Sequence, residues 1–229
     1  MSHPDRTLAA CSVACAALFL ALQAGPVTWL SLATKSLSVS TLALVALRST
    51  GPMSGGALAA PLLASSAGDF LLEWDRQRLF VAGLGAFLLA HLLYIALFRR
   101  AWPARRAAVD RRSQVPAALP WPRIGASIAI VAAGLALTAW LWPGLGDLRI
   151  PVASYIAVLL AMAVAAQLAQ LDTPLVAVGA VLFVASDSMI GIETFRTTFA
   201  GSGPAIWVSY YLAQCAITLG CLRAGRTAR

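Results

Sequence analysis

The sequence predicts an all-α fold: a polytopic transmembrane helical bundle of eight spans, with both termini on the cytoplasmic side. Three observations carry that reading. Of the 229 residues, 60% are hydrophobic and 11% charged, and the mean hydropathy is +0.80, more apolar surface than a soluble domain can hide. The apolar residues fall in runs near the ~20-residue length that crosses a bilayer core, and because lipid cannot hydrogen-bond exposed backbone, such runs must be helices. Finally, arginines alternate in abundance from one connection to the next, as the connections of a multi-span protein do.

Taken in order, the apolar runs place spans near 8–24, 28–47, 57–73, 79–98, 124–142, 150–168, 173–192 and 204–222. The first run follows Arg6 and ends in the small residues at Gln23-Ala24-Gly25, so a cleaved leader competes with a retained helix there. Its uninterrupted length, with no extracellular domain behind it, favours the retained helix. Most connections are short and carry Gly or Pro (Gly25-Pro26, Gly51-Pro52, Pro143-Gly144, Gly201 to Pro204), which makes sequential spans antiparallel neighbours in one transmembrane domain covering residues 1–229. The exception is the 99–123 connection, rich in arginine and proline, which reads as a mobile arm on anionic headgroups.

Counted by side, Arg6, Arg48, Arg99, Arg100, Arg105, Arg106, Arg111, Arg112, Arg123, Arg223, Arg226 and Arg229 share one face of the membrane. Only Arg76, Arg78, Arg149 and Arg196 lie on the other, and the positive-inside rule puts the richer side in the cytoplasm. The net charge of +8 is thus a topology signal, gathered in one connection and the tail, and not the spread basic face of a nucleic-acid-binding protein. Cys11, Cys15, Cys215 and Cys221 lie in or beside apolar runs, where thiols pack as small apolar groups, and they form no CxxC or disulfide framework.

An ionisable group at bilayer depth costs several kcal/mol unless paired or facing water, which marks Lys35, Asp69, His91 and Asp187 as functional candidates. At ~1.5 Å per residue, Asp69 and Asp187 both lie ~18–21 Å from the inner boundary, on parallel spans, and so are level with each other. Lys35 lies ~10 Å below the outer boundary, and Tyr155, Tyr210, Tyr211 and Gln214 reach ~8–15 Å down from the same side. Polar residues of five spans therefore converge on one layer. Ser65 and Ser66 precede Asp69 by one turn on its own helix face, Gly68 permits close helix approach, and Ser186 and Ser188 flank Asp187 as a hydrogen-bonding collar. An ion pair gluing Lys35 to Asp69 is the structural alternative, yet one lysine cannot neutralise two carboxylates, and the spare one is expected to be a protonated acid. His91, at ~18 Å, lies deeper, with Tyr94 one turn on; it reads more readily as a buried hydrogen-bonded histidine than as a reacting group. With His3 the only other histidine, no intramembrane histidine zinc site is expected. Glu73 and Asp75 read as solvated at a span end, Glu73 as placed to line an entrance, and Glu193 with Arg196 as a surface pair.

At these positions the sequence resembles the YhhN family of lysoplasmalogenase-like membrane proteins. The matching elements are Ser65-x-x-Gly68-Asp69 followed by Leu71-Leu72, Phe87-x-x-x-His91-x-x-Tyr94, Phe183-x-x-Ser186-Asp187-Ser188, and Tyr210-Tyr211-x-x-Gln214. One element departs: the family favours Lys-Pro in the second span, where Ser36 follows Lys35, a change that bears on the helix geometry around the lysine. The resemblance implies hydrolysis of the vinyl-ether bond of lysoplasmalogens to a fatty aldehyde and a glycerophospho-ethanolamine or -choline, without metal or organic cofactor. On that reading Asp69 and Asp187 are catalytic, and Lys35, Ser65, His91, Tyr94, Tyr155, Ser186, Ser188, Tyr210, Tyr211 and Gln214 bind the lysophospholipid. The expected location is a bacterial cell membrane. A proton-coupled lipid or small-molecule transporter using the same aspartates as a relay is the alternative.

Overall fold

Eight α-helices account for most of a computed structural model that describes residues 3–113, 121–169, 171 and 173–227, and no strand occurs among them. They are α1 (His3–Leu22), α2 (Trp29–Arg48), α3 (Gly56–Trp74), α4 (Arg76–Ser113), α5 (Trp121–Leu141), α6 (Arg149–Leu168), α7 (Leu175–Phe195) and α8 (Ser202–Thr227). Each overlaps one predicted span, with most ends within about three residues of the prediction, the uncertainty usual for helix boundaries; α1 and α8 begin or end up to five residues beyond their apolar runs. α4 shows this most. It runs on to Ser113, so the part of the 99–123 connection before residue 114 is helical, as are residues 121–123 at the start of α5; residues 114–120 lie outside the described ones.

Seven helices are long and apolar enough to cross a membrane: α1, α2, α4 over Arg76–Ala101, α5, α6, α7 and α8. The 19-residue α3 is not among them. Its length would span ~28 Å, but Pro61, Ser65, Ser66, Gly68 and Asp69 dilute its hydropathy, and all of these are buried against other helices.

Chain neighbours pack on one another from α1 to α4 and from α5 to α8, while α4 meets α6 across the long connection. α8 closes the bundle by packing on α7 and touching α1, α2 and α3. The α7–α8 crossing is close because it is lined with glycine. A Cβ on Gly179 would lie 2.8 Å from the Ile217 side chain, and one on Gly220 2.6 Å from that of Val176, the small-residue contact that lets helix backbones approach without a hydrophobic drive between them.

Tryptophans, two of them covered by arginines, mark the end of the bundle that carries the α1–α2, α3–α4, α5–α6 and α7–α8 connections. Trp29 and Trp74 meet edge to face at 5.9 Å, the Arg196 guanidinium covers Trp140 at 5.0 Å, and that of Arg149 covers Trp142 at 5.7 Å. Such amphipathic rings favour the membrane–water boundary, and the same end holds the site.

Candidate active site

The position of Asp69 follows from how α3 is fastened to α2. At the start of α2 a reciprocal cap forms: Thr28 Oγ1 accepts from the Ser31 amide at 3.1 Å and Ser31 Oγ from the Thr28 amide at 2.9 Å, which fixes the register of the helix that carries Lys35. α2 then runs unbroken through Lys35 and Ser36. The Ser36 carbonyl accepts a hydrogen bond from Ser66 Oγ at 2.8 Å, and Ser66 also meets Ser40 Oγ at 2.8 Å. These contacts set the rotation of α3. Gly68 sets its distance from α4, since a Cβ there would lie 2.6 Å from the ring of Phe87. Asp69 consequently points inward, buried, and its Oδ2 accepts from the Tyr210 hydroxyl of α8 at 2.6 Å.

Asp187 is held from the other half of the bundle. Its Oδ2 accepts a short hydrogen bond from the Tyr155 hydroxyl of α6, and His91 Nε2 of α4 lies 3.0 Å from that hydroxyl and 3.6 Å from the carboxylate oxygen. His91 is wholly buried, edge-on to Phe183 at 4.8 Å, and its Nδ1 has no hydrogen-bond partner among the described residues. Each aspartate thus has one oxygen bound by a buried tyrosine from a different helix, while His91 stands beside Asp187 alone.

Both carboxylates line one cavity of about 190 Å³, together with Lys35, Glu73, Arg76 and Glu193. Lys35 does not pair with Asp69. Its Nζ lies 3.1 Å from Glu73 Oε2 and above the rings of Phe19 and Trp207, at 5.1 and 6.0 Å, so Glu73 is a partly buried ion-pair partner and not a solvated end residue. Neither aspartate has a lysine or arginine partner among the described residues. Arg76 meets Glu193 at 3.1 Å, and Ser202 Oγ donates to the same glutamate at 2.7 Å. The expected Glu193–Arg196 surface pair is therefore replaced: Arg196 turns away and bonds the Trp140 carbonyl. Ser186 borders this cavity, its Oγ donating to the Ile206 carbonyl at 3.0 Å.

A second, apolar cavity of about 70 Å³ extends from Asp187 and Ser188 between α4, α5, α6 and α7, past Leu84, Leu137 and Ile156. The gap exists because α7 packs on α8, α6 and α5 while α4 packs on α3 and α6. Leu72, Phe87, Asp187 and Ile190 border both cavities.

Five of the residues expected to bind substrate line neither cavity, a correction to the layer read from depth: His91, which lies behind Tyr155, and Tyr94, Gln214, Ser65 and Tyr211. Tyr94 donates to Gln214 Oε1 at 2.6 Å, and neither residue lines a cavity described above. Ser65 is fully buried, its hydroxyl without a hydrogen-bond partner among the described residues. Tyr211 faces α1, where its hydroxyl lies 2.7 Å from Ser12 Oγ. Depth follows from counting along a helix, but the direction a side chain takes around the axis depends on packing, and adjacent Tyr210 and Tyr211 necessarily diverge by ~100°. Conversely, the sequence undervalued Arg76 and Glu193, which are 117 positions apart and carry no local signal of pairing, and Phe87 and Trp207, whose rings enclose the polar cavity. Among the described residues no three His, Cys, Asp or Glu side chains gather in a way that could hold a metal ion.

With this geometry in view, the profile of the YhhN family matches residues 30–221. Proteins named lysoplasmalogenase in Mycobacterium bovis and Mycobacterium tuberculosis are each 44% identical over 163 residues, covering 69% of this chain and 58% of the relative. A Homo sapiens protein also named lysoplasmalogenase is 33% identical over 162 residues, covering 71% of this chain and 62% of its own length. The chain thus spans little more than half the length of these relatives. No solved structure matches.

Proposed function

The chain belongs to the YhhN family, and from that premise we propose that it is a membrane-embedded hydrolase that cleaves the vinyl-ether bond of lysoplasmalogens, releasing a fatty aldehyde and a glycerophospho-alcohol. The observation that carries the proposal is that Asp69 and Asp187 line one cavity, each with one oxygen held by a tyrosine hydroxyl. A vinyl ether hydrolyses through protonation at carbon, which leaves an oxocarbenium ion for water to attack. That chemistry calls for one protonated carboxylic acid and one carboxylate to steer water, the division of labour that two carboxyl groups serve in glycosidases. The relatives' names support the substrate class.

In this reading α3 is the eighth span, both termini are cytoplasmic, and the protein resides in a bacterial cell membrane. The site then opens in the outer half of the bilayer, where the tail of a single-chain lipid reaches it from the leaflet. Lys35 and Arg76, each already facing a glutamate, provide cations for the lipid phosphate, and Glu73 and Glu193 provide anions for the head-group ammonium, so a zwitterion can exchange into both pairs without leaving net charge buried.

The test is direct. Purified protein in detergent is incubated with lysoplasmenylethanolamine and, separately, with its saturated 1-O-alkyl analogue. Aldehyde from the first and none from the second is the expected result. Absence of aldehyde from lysoplasmenyl-ethanolamine and -choline alike would refute the proposal.

A further inference from the structure

The two cavities meet at Asp187, which borders both, whereas Asp69 borders only the polar one. A single-chain lipid has the same two-part constitution, an alkyl chain at one end and a charged head group at the other. Hydrophobic burial drives the chain to the apolar cavity, and the cost of desolvating unpaired charge keeps the head group beside Lys35, Glu73, Arg76 and Glu193. The junction between chain and head group then lies at Asp187.

The order of atoms across that junction is fixed: alkyl chain, chain-side vinyl carbon, ether-side vinyl carbon, ether oxygen, glycerol. Protonation must occur on the chain-side carbon, because only there does the resulting cation gain the ether oxygen's lone pair. Water must attack the ether-side carbon. Resting on the hydrolase reading above, we propose that the apolar cavity between α4, α5, α6 and α7 receives the alkenyl chain, and that this seating makes Asp187 the acid and Asp69 the base.

The hydrogen bonds leave each group equipped for its part. In both aspartates Oδ2 is bound by tyrosine while Oδ1 has no hydrogen-bond partner among the described residues. With His91 Nε2–H donating to Tyr155, the Tyr155 hydroxyl donates to Asp187 Oδ2, and the transferable proton of Asp187 sits on Oδ1. That proton passes to the chain-side carbon as the double-bond electron pair forms the new C–H bond. Asp69 Oδ1 then removes a proton from water as its oxygen bonds the ether-side carbon, giving a hemiacetal. In the last step the hemiacetal C–O bond to glycerol breaks, Asp69 returns its proton to the glycerol oxygen, and Asp187 takes the hemiacetal hydroxyl proton. Both carboxyl groups are restored, and the sum is vinyl ether plus water to aldehyde plus alcohol.

Two measurements on the full-length protein in detergent test the assignment. In the first, Asp69→Asn and Asp187→Asn are incubated with lysoplasmenylethanolamine in D₂O and the unreacted lipid is recovered. A variant that still deuterates carbon but cannot deliver water lets the cation persist long enough to rotate about the bond between its two carbons, so that the original proton, and not the deuteron just delivered, returns to Asp187 and the vinyl ether is recovered with deuterium on the chain-side carbon. Asp69→Asn is expected to wash in deuterium, and Asp187→Asn to wash in none; exchange by Asp187→Asn, or none by Asp69→Asn, overturns the assignment. Binding of the saturated 1-O-alkyl analogue to each variant shows that its site is intact. The second measurement fills the apolar cavity with Leu137→Trp and compares lysolipids of long and very short alkenyl chain. A buried methylene is worth roughly fourfold, so losing room for about two should cut kcat/KM roughly fifteenfold for the long chain and leave the short one within about twofold. Equal effects on both lengths would place the chain elsewhere. Aldehyde release by the wild type in the same assays separates failure of this assignment from failure of the hydrolase reading.

Discussion

Tyr155→Phe isolates the contribution of one hydroxyl. That group donates to Asp187 Oδ2 and lies 3.0 Å from His91 Nε2, so deleting it leaves the carboxyl without its only described donor and leaves His91, already without a hydrogen-bond partner at Nδ1 among the described residues, with neither ring nitrogen in a normal hydrogen bond. As the acid, Asp187 is neutral before it gives up its proton and charged afterwards, so the bond strengthens from about 0.5–1.5 to about 1.5–3 kcal/mol as the proton leaves. Only that difference of about 1–1.5 kcal/mol acts on the step, and at ~1.4 kcal/mol per decade kcat is expected to fall roughly 5–13-fold. The control is Tyr94→Phe. It deletes an equally buried hydroxyl, 2.6 Å from Gln214, that borders neither cavity, so it should lower thermal stability in detergent while changing kcat less than about threefold, stability alone being at stake. Aldehyde release followed continuously with an aldehyde-dependent dehydrogenase gives kcat and KM for both. Wild-type turnover by Tyr155→Phe, or an equal loss in Tyr94→Phe, would refute the claim that Tyr155 acts through Asp187.

Three further outcomes follow from the same geometry. Accessibility tags at either terminus should report a cytoplasmic location, given the arginine asymmetry; an externally accessible C-terminal tag would reverse the orientation proposed for the site. Gly68→Ala should lower the detergent melting temperature by a measurable step, about 1–3 kcal/mol of overpacking, because its Cβ would lie 2.6 Å from the Phe87 ring; an unchanged melting curve would show that the α3–α4 contact is looser than described. Lys35→Met should raise KM more than it lowers kcat if the lysine binds the lipid phosphate, and a loss confined to kcat would give Lys35 a part in the chemistry instead.

Much of the fold was legible because a bilayer imposes a simple rule on sequence. Helix lengths and most neighbour relations followed from apolar runs and short connections, and α2, for instance, begins one residue from its predicted start. That Asp69 and Asp187 share a cavity agrees with the common level read from their places on parallel spans, since axial rise is constant. Partner choice was not legible. Lys35 reaches Glu73 and not Asp69, although both acids lie on one helix, because the lysine sits nearer the bundle end and over Phe19 and Trp207. Arg76 looked like a topology marker and Glu193 like half of a surface pair, and only the approach of α4 to α7 joins them. The apolar cavity had no sequence signal, since its lining residues read the same whether they face lipid or an interior space.

The central claim is that two aspartates act as one catalytic unit on a vinyl ether, and the rate of aldehyde release from lysoplasmenylethanolamine by Asp69→Asn, Asp187→Asn and the double variant tests it most directly. Asparagine keeps the shape of each side chain but can neither donate an acidic proton nor accept one. Each single variant is expected to lose ~10²–10⁴-fold in kcat, and the double variant little more than either alone, as for groups that cooperate in one step. Wild-type release by either single variant would contradict the account. So would a wild-type protein that releases no aldehyde but moves lysolipid across vesicles, which would make the aspartates a proton relay for transport.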